Sequence, residues 1–350
     1  MTKRRGISVL LQWTVTALLL LVPFSASNAQ TKSPYDVGHV KEPRLFAEGV
    51  ISTEDDEQGG TFSPDGSEFY FVKQSQYTYF PRYGLICVSH FRDGKWSEPE
   101  AVPFSGKSLD FPPKFSPDGK TMYFGSYRQV PEKARGVLRI WAVDRTPSGW
   151  SEPRLLPSPV NMEDSANFGP SVANDGTLYF VSTRGGENTH IFRSRYANGV
   201  YAEPEKLGPE INSEFNESEP YISPDGKFLI FASAGIFPGD QDRPETLHGG
   251  GLLYARADLY LSENRGGKWT KARHLEHGIN STADESAPSL TPDGKYLFFT
   301  SERSGFTIPT PYKLETPEFE SILHSTLNGH GNIFFISSDA LDLSGAETAK

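Results

Sequence analysis

Acidic residues recur in this sequence at one repeated place. Asp55-Asp56-Glu57, Leu109-Asp110-Phe111, Glu163-Asp164-Ser165-Ala166-Asn167, Asn216-Glu217-Ser218-Glu219 and Asp284-Glu285-Ser286 each stand a few residues before an Asp-Gly pair. A base follows the same pair in several copies, as Lys73, Arg128, Arg184 and Arg303. A fold that gathers these segments round one opening makes a ring of carboxylates and arginines, able to bind a peptide, a sugar or a cation. Asp110, Asp164, Glu217 and Glu285 are then the candidate general acids and bases, because two carboxyl groups in unlike surroundings can divide those roles. Arg184 and Arg303 are placed to orient a substrate, and Arg128 joins them as a binding candidate. The competing reading is a set of salt bridges between repeating units. Repetition in every unit favours it, since a site usually breaks symmetry.

Two insertions supply asymmetry. Residues 235–257 and 305–331 are long for hairpin loops and mix aromatics with Pro, His and charge, as functional loops on a rigid scaffold do. Phe237, His248, Phe306 and Tyr312 are their candidate binding residues. His248-Gly249-Gly250-Gly251 imitates the oxyanion loop of lipases, but no Gly-x-Ser-x-Gly supplies a nucleophile. Cys87 is the only cysteine, which excludes an internal disulfide and a multi-cysteine metal site. No cofactor motif and no metal-ligand spacing is present.

The elements that must position these residues follow from a repeat. Asp-Gly pairs begin at Asp65, Asp118, Asp175, Asp225 and Asp293, in steps of 53, 57, 50 and 68. Four sit in Pro-Asp-Gly and one in Asn174-Asp175-Gly176. Proline sets φ, Asp caps through its side chain and Gly takes the left-handed position, so each pair closes a hairpin. The aromatic and β-branched run after it is a buried strand. A third strand, a Gly-containing turn with an aromatic just beyond, and a fourth strand complete four of the units, as in Leu85–Phe91 followed by 92–103. Four strands per unit at this period make a propeller blade. The last unit lacks its fourth strand, and 41–51 carries the Glu-Pro-x-Leu signature of one. The expected fold is therefore all-β: five four-stranded blades, the last completed by the N-terminal strand. The step of 68 leaves room for a degenerate sixth blade.

Lys plus Arg is 34 against Asp plus Glu 44, a net charge of −10, and residues 1–29 hold three of the positives and no acid. So acidic a chain does not suit nucleic acid or an anionic membrane surface. Lys3, Arg4 and Arg5, the apolar run from Ile7 to Val22 and Ser27-Asn28-Ala29 read as a signal peptide cleaved after Ala29. The expected layout is a signal peptide over 1–29, a linker over 30–42, the propeller over 43–341 and a flexible tail over 342–350. The mature protein is expected to be a monomer, periplasmic or secreted, with no transmembrane segment.

The repeat resembles the WD40-like unit called PD40, after its Pro-Asp, of TolB-like periplasmic β-propellers, over about residues 43–338. Asn328–Ser338 is also similar to the C-terminal strand of secreted members. The resemblance implies fold and compartment. It leaves function open, since such propellers serve as interaction platforms, as partners in envelope complexes and occasionally as enzymes. The expected role is a binding or scaffold module of the bacterial cell envelope. It would engage an envelope protein, a polysaccharide or a peptide on the face with the acidic ring and the insertions. The alternative is a secreted carbohydrate-active hydrolase or lyase using the funnel carboxylates.

Overall fold

The computed structural model describes residues 34–35, 37–75, 82–130, 137–186, 188–234, 256–305 and 315–343. The segment read as a signal peptide lies outside them. Ser33–Lys350 forms one unit. It is a five-bladed propeller of small antiparallel sheets, and among the described residues no helix is long and apolar enough to cross a membrane.

The innermost strands are Asp56–Phe62, Lys114–Phe115, Asn167–Val172, Glu217–Ile222 and Glu285–Leu290. Each leads into its Asp-Gly turn. In blade 1 the Ser63 hydroxyl donates to Asp65 Oδ1 at 2.6 Å, and the Gly66 amide donates to the Ser63 carbonyl at 2.8 Å. Ser116–Asp118, Ser223–Asp225 and Thr291–Asp293 repeat the side-chain contact. The chain therefore reverses four times by the same hydrogen bonds, and in blade 3 by the Gly176 amide on the Ala173 carbonyl and the Thr177 amide on Asp175, without the hydroxyl. Four innermost strands carry a bulge in mid-course, and its left-handed residue is Gly59, Gly169, Glu219 or Ala287. Gly59 has no alternative, because a Cβ there would meet Pro112 Cβ at 2.3 Å. Blade 2 has Pro112-Pro113 instead, without amide donors, and its inner strand shrinks to two residues.

The ring closes as the sequence predicts. Arg44–Leu45 pairs antiparallel with Asn332–Ser337, Arg44 opposite Phe335, and so becomes the outer strand of blade 5. Phe46 follows at once. Its ring lies 4.9–6.0 Å from those of Phe62, Phe69, Trp96, Phe298 and Phe335, edge-on in every case. Five apolar clusters fill the seams between blades.

The expected linker over 30–42 is in part a wedge. Tyr35 and Val40 are buried between blades 1 and 5, Val40 exchanges hydrogen bonds with Ser337, and the Tyr296 hydroxyl donates to the Gly38 carbonyl at 2.7 Å. Residues 342 and 343, expected in the tail, also meet the core. Leu341 is buried, Leu343 packs beside it, and the Arg273 guanidinium holds the carbonyls of Leu341 and Asp342. Tyr35 and Val40 fill the closing seam of blades 5 and 1, and Leu341 and Leu343 the seam of blades 4 and 5, which is why the chain does not leave the core at 43 and 341.

Candidate functional site

The residue eight positions before each repeat Asp is Glu57, Asp110, Asn167, Glu217 or Glu285, and each is at most 1% exposed. Asp164 is not among them. It stands exposed on a loop one residue longer than its counterparts, so the ring position falls on Asn167 instead. The buried groups are saturated with donors. Glu57 takes the amide and hydroxyl of Thr53, Glu217 those of Ser213, and Glu285 those of Ser281. Asp110 takes the Ser105 and Ser126 hydroxyls, both at 2.5 Å. Burial raises the Glu57 and Glu285 carboxyls above their ordinary range despite these bonds.

The arginines complete the same joints. Arg128 donates to both oxygens of Asp110, at 3.0 and 3.1 Å, and to the Phe104 carbonyl. Arg184 binds Asn167 Oδ1 at 2.9 Å and the Val160 carbonyl at 2.5 Å, and Arg303 binds the Ile279 carbonyl at 2.7 Å and Glu285 at 3.4 Å. Each guanidinium also lies over a ring of its own blade, Phe124, Phe180 or Phe334. These groups fasten the loop arriving from the preceding blade. A partner motif that the sequence reading missed precedes them: Ser52, Ser105, Asn161, Asn212 and Asn280 each staple the third strand of the preceding blade. An apolar residue followed by Asn or Ser, five or six positions before the ring residue, is its signal.

The funnel wall is built from the neighbours of the ring residues. Side chains alternate along a strand, so the position after each buried group faces the other way. Gln58, Phe111, Phe168, Ser218 and Ser286 all line one cavity of about 530 Å³, and Glu219, Asp284 and Glu302 line it too. The wall is lopsided. Blades 2 and 3 contribute an aromatic half, with Phe111 and Phe168 6.3 Å apart and Phe215 at the rim. The opposite half is amide and carboxyl.

Asp284 is a strongly perturbed acid of that half. Burial first, then the neighbouring Glu302 charge, push its carboxyl up to about 8. Burial and the nearby Asp56 raise Glu302 to about 7. Asp56 is raised by burial as well, although Gln58 donates to it at 2.7 Å and Gln74 at 3.1 Å. The floor is a cross-ring pair. Buried Lys114 of blade 2 donates to the Pro288 carbonyl of blade 5 at 2.7 Å, and Glu219 of blade 4 is its electrostatic partner. Burial lowers Lys114 to about 8. A void of about 10 Å³, one water's worth, remains between this pair and Phe111, Phe168 and Ala287. Alternation placed beside the repeat would have pointed to Asp284 and Glu302. Among the described residues no three His, Cys, Asp or Glu side chains converge as a metal-ligand set. Phe237, His248, Phe306 and Tyr312 lie outside the described residues.

No protein-family model matches the chain. It is 26% identical to the uncharacterized peptidase YuxL of Bacillus subtilis over 54% of its own length and 29% of that protein's, so it spans under a third of this relative. Solved structures of similar fold include a Coprinopsis cinerea GH62 α-L-arabinofuranosidase catalytic domain, at TM-score 0.45 and 13% identity, over 85% of this chain and 98% of that one. A gluconolactonase from Xanthomonas campestris follows at 0.41 and 10%, over 74% and 92%. A Mycobacterium tuberculosis puromycin-hydrolyzing peptidase aligns at 0.38 and 13%, over 81% and 44%.

Proposed function

We propose that the funnel is a saccharide site in an exported propeller. One observation carries the reading: a single cavity faces an aromatic half, Phe111, Phe168 and Phe215, with a half of amides and carboxyls, Gln58, Asp284 and Glu302. A sugar ring has an apolar face suited to the first and hydroxyls suited to the second. Cavities that combine apolar walls with a few convergent polar groups are where ligands bind. The signal peptide read from residues 1–29 would bring the site to envelope polysaccharides. Phe168→Ala should weaken oligosaccharide binding at least about tenfold by calorimetry, as loss of one stacking contact does. Equal affinity in wild type and variant, or no binding across a panel of envelope oligosaccharides, would overturn the reading.

A second reading, hydrolysis of the bound glycoside, is favoured by the proton affinity of Asp284. A carboxyl titrating at about 8 still holds its proton at neutral pH and can donate it to a leaving group. An ionised neighbour must then serve as base or nucleophile. Asp284→Asn should cut any turnover by about 100-fold or more while binding survives. Turnover unchanged in Asp284→Asn would remove the hydrolytic reading and leave binding alone.

A further inference from the structure

Blade 2 turns two aromatic rings to the funnel side of its inner strands. The first is Phe111, on the innermost strand beside buried Asp110. The second is Tyr127, on the next strand, one residue beyond Ser126, which stands opposite Asp110. The same place is Gln74, Thr183, Ala234 or Glu302 in the other blades, and the last two line the funnel cavity itself. Phe111 and Tyr127 are diagonal neighbours across the two strands, with ring centres 6.0 Å apart. Phe111 lies in turn 6.3 Å from Phe168 of blade 3. Three rings therefore run in a row from the rim into the cavity.

The row is held by its backbone. The Tyr127 amide donates to the Leu109 carbonyl at 3.1 Å and the Phe111 amide to the Gly125 carbonyl at 2.9 Å. On either side of Tyr127, Ser126 and Arg128 both donate to Asp110. Opposite this wall position the other blades place Val72, Val181, Ala232 or Thr300, and blade 2 places Gly125. A Cβ at Gly125 would stand 3.2 Å from Phe168 Cβ and 3.3 Å from Phe111 Cβ, so the bare backbone lets the two rings close up. The ring planes tilt by 49° and 43° from one to the next, so neither pair is stacked. Tyr127 is 42% exposed, and Phe111 and Phe168 are half-buried.

We infer that Tyr127, Phe111 and Phe168 are successive subsites for a linear oligosaccharide, which enters over blade 2 and places its terminal unit in the cavity. The inference rests on the saccharide reading of the funnel and names the ligand as a chain. Steps of 6.0 and 6.3 Å are comparable to the length of one pyranose unit, and each ring can take the apolar face of one unit. Tyrosine suits the outermost place, where one end of the side chain meets sugar and the other meets water. The Lys114 bond to the Pro288 carbonyl closes the floor, so a chain cannot thread the ring and must present an end.

The test titrates the mature protein by calorimetry with N-acetylglucosamine, a neutral envelope sugar, and its β-1,4-linked oligomers up to the pentamer. Affinity should rise about tenfold or more from monomer to trimer and then level off. In Tyr127→Ala the trimer should lose about tenfold and approach the dimer. Tyr127→Phe keeps the ring and should keep the rise. Tyr196→Ser removes a similarly exposed ring from the hairpin ribbon of blade 3 and should behave as wild type. The inference fails, with the funnel reading intact, if monomer and pentamer bind alike, if Tyr127→Ala keeps the rise, or if Tyr127→Phe or Tyr196→Ser loses it. No binding by any member also overturns it, and the funnel reading is then decided separately by the wider panel and Phe168→Ala.

Discussion

Lys114 and Glu219 face each other near the axis of the ring, and burial drives both toward their neutral forms. Removing one member of such a pair strands the other, whereas removing both need not destabilise. Lys114→Met should therefore cost about 3 kcal/mol in urea unfolding, and Lys114→Met with Glu219→Gln should recover most of it. Asp284 makes a separate prediction. A carboxyl whose pKa is raised on folding, here from 3.8 to about 8, binds its proton more tightly in the folded chain. The stability it contributes is present in acid and is lost as pH rises between those two values. Melting temperature should fall from pH 5.5 to 8.5, and Asp284→Asn should flatten the slope. An equal slope in the variant would contradict the assignment. None of these three residues stood out in the sequence, where Asp284 and Glu219 look like companions of Glu285 and Glu217. The difference is one of direction along a strand: Glu217 and Glu285 turn into the seam, alternation turns Asp284 to the funnel, and the bulge at Glu219 turns that residue inward.

At the scale of the element, the Asp-Gly turns and the strands around them were legible because their chemistry is local. Serine, proline, aspartate and glycine close the hairpin among themselves, whatever surrounds them. The role of the arginines was not legible in that way, since Arg303 acts on Gly278 and Ile279, carbonyls 25 and 24 positions away. The competing reading of the ring, repeated joints between units, is the one that the hydrogen bonds of Arg128, Arg184 and Arg303 match. Arg303→Ala should lower stability by about 2–4 kcal/mol by leaving buried Glu285 short of a partner, as measured in urea. Arg303→Lys should recover little, because an ammonium cannot span two carbonyls and a carboxylate as the guanidinium fork does.

At the scale of the whole molecule, five blades and their closure could be read from the repeat because its period exceeds any single hairpin and one fourth strand was missing at the end. What the repeat hid is where its copies differ: aromatic residues at Phe111 and Phe168 in the funnel, and Tyr127 beside them. Phe46 sits where the closure is decided, touching five rings of blades 1 and 5, so Phe46→Ala should cost about 3–5 kcal/mol in a urea melt. The closure also imposes an order in time. Ser52 bonds Ile333, 281 positions further along the chain. A chain growing at roughly 5–20 residues per second would hold Phe46 and its aromatic partners unsealed for tens of seconds before the last strand arrives. Throughout that interval the first seam is an open apolar edge, and the molecule depends on whatever escorts it until its two ends meet.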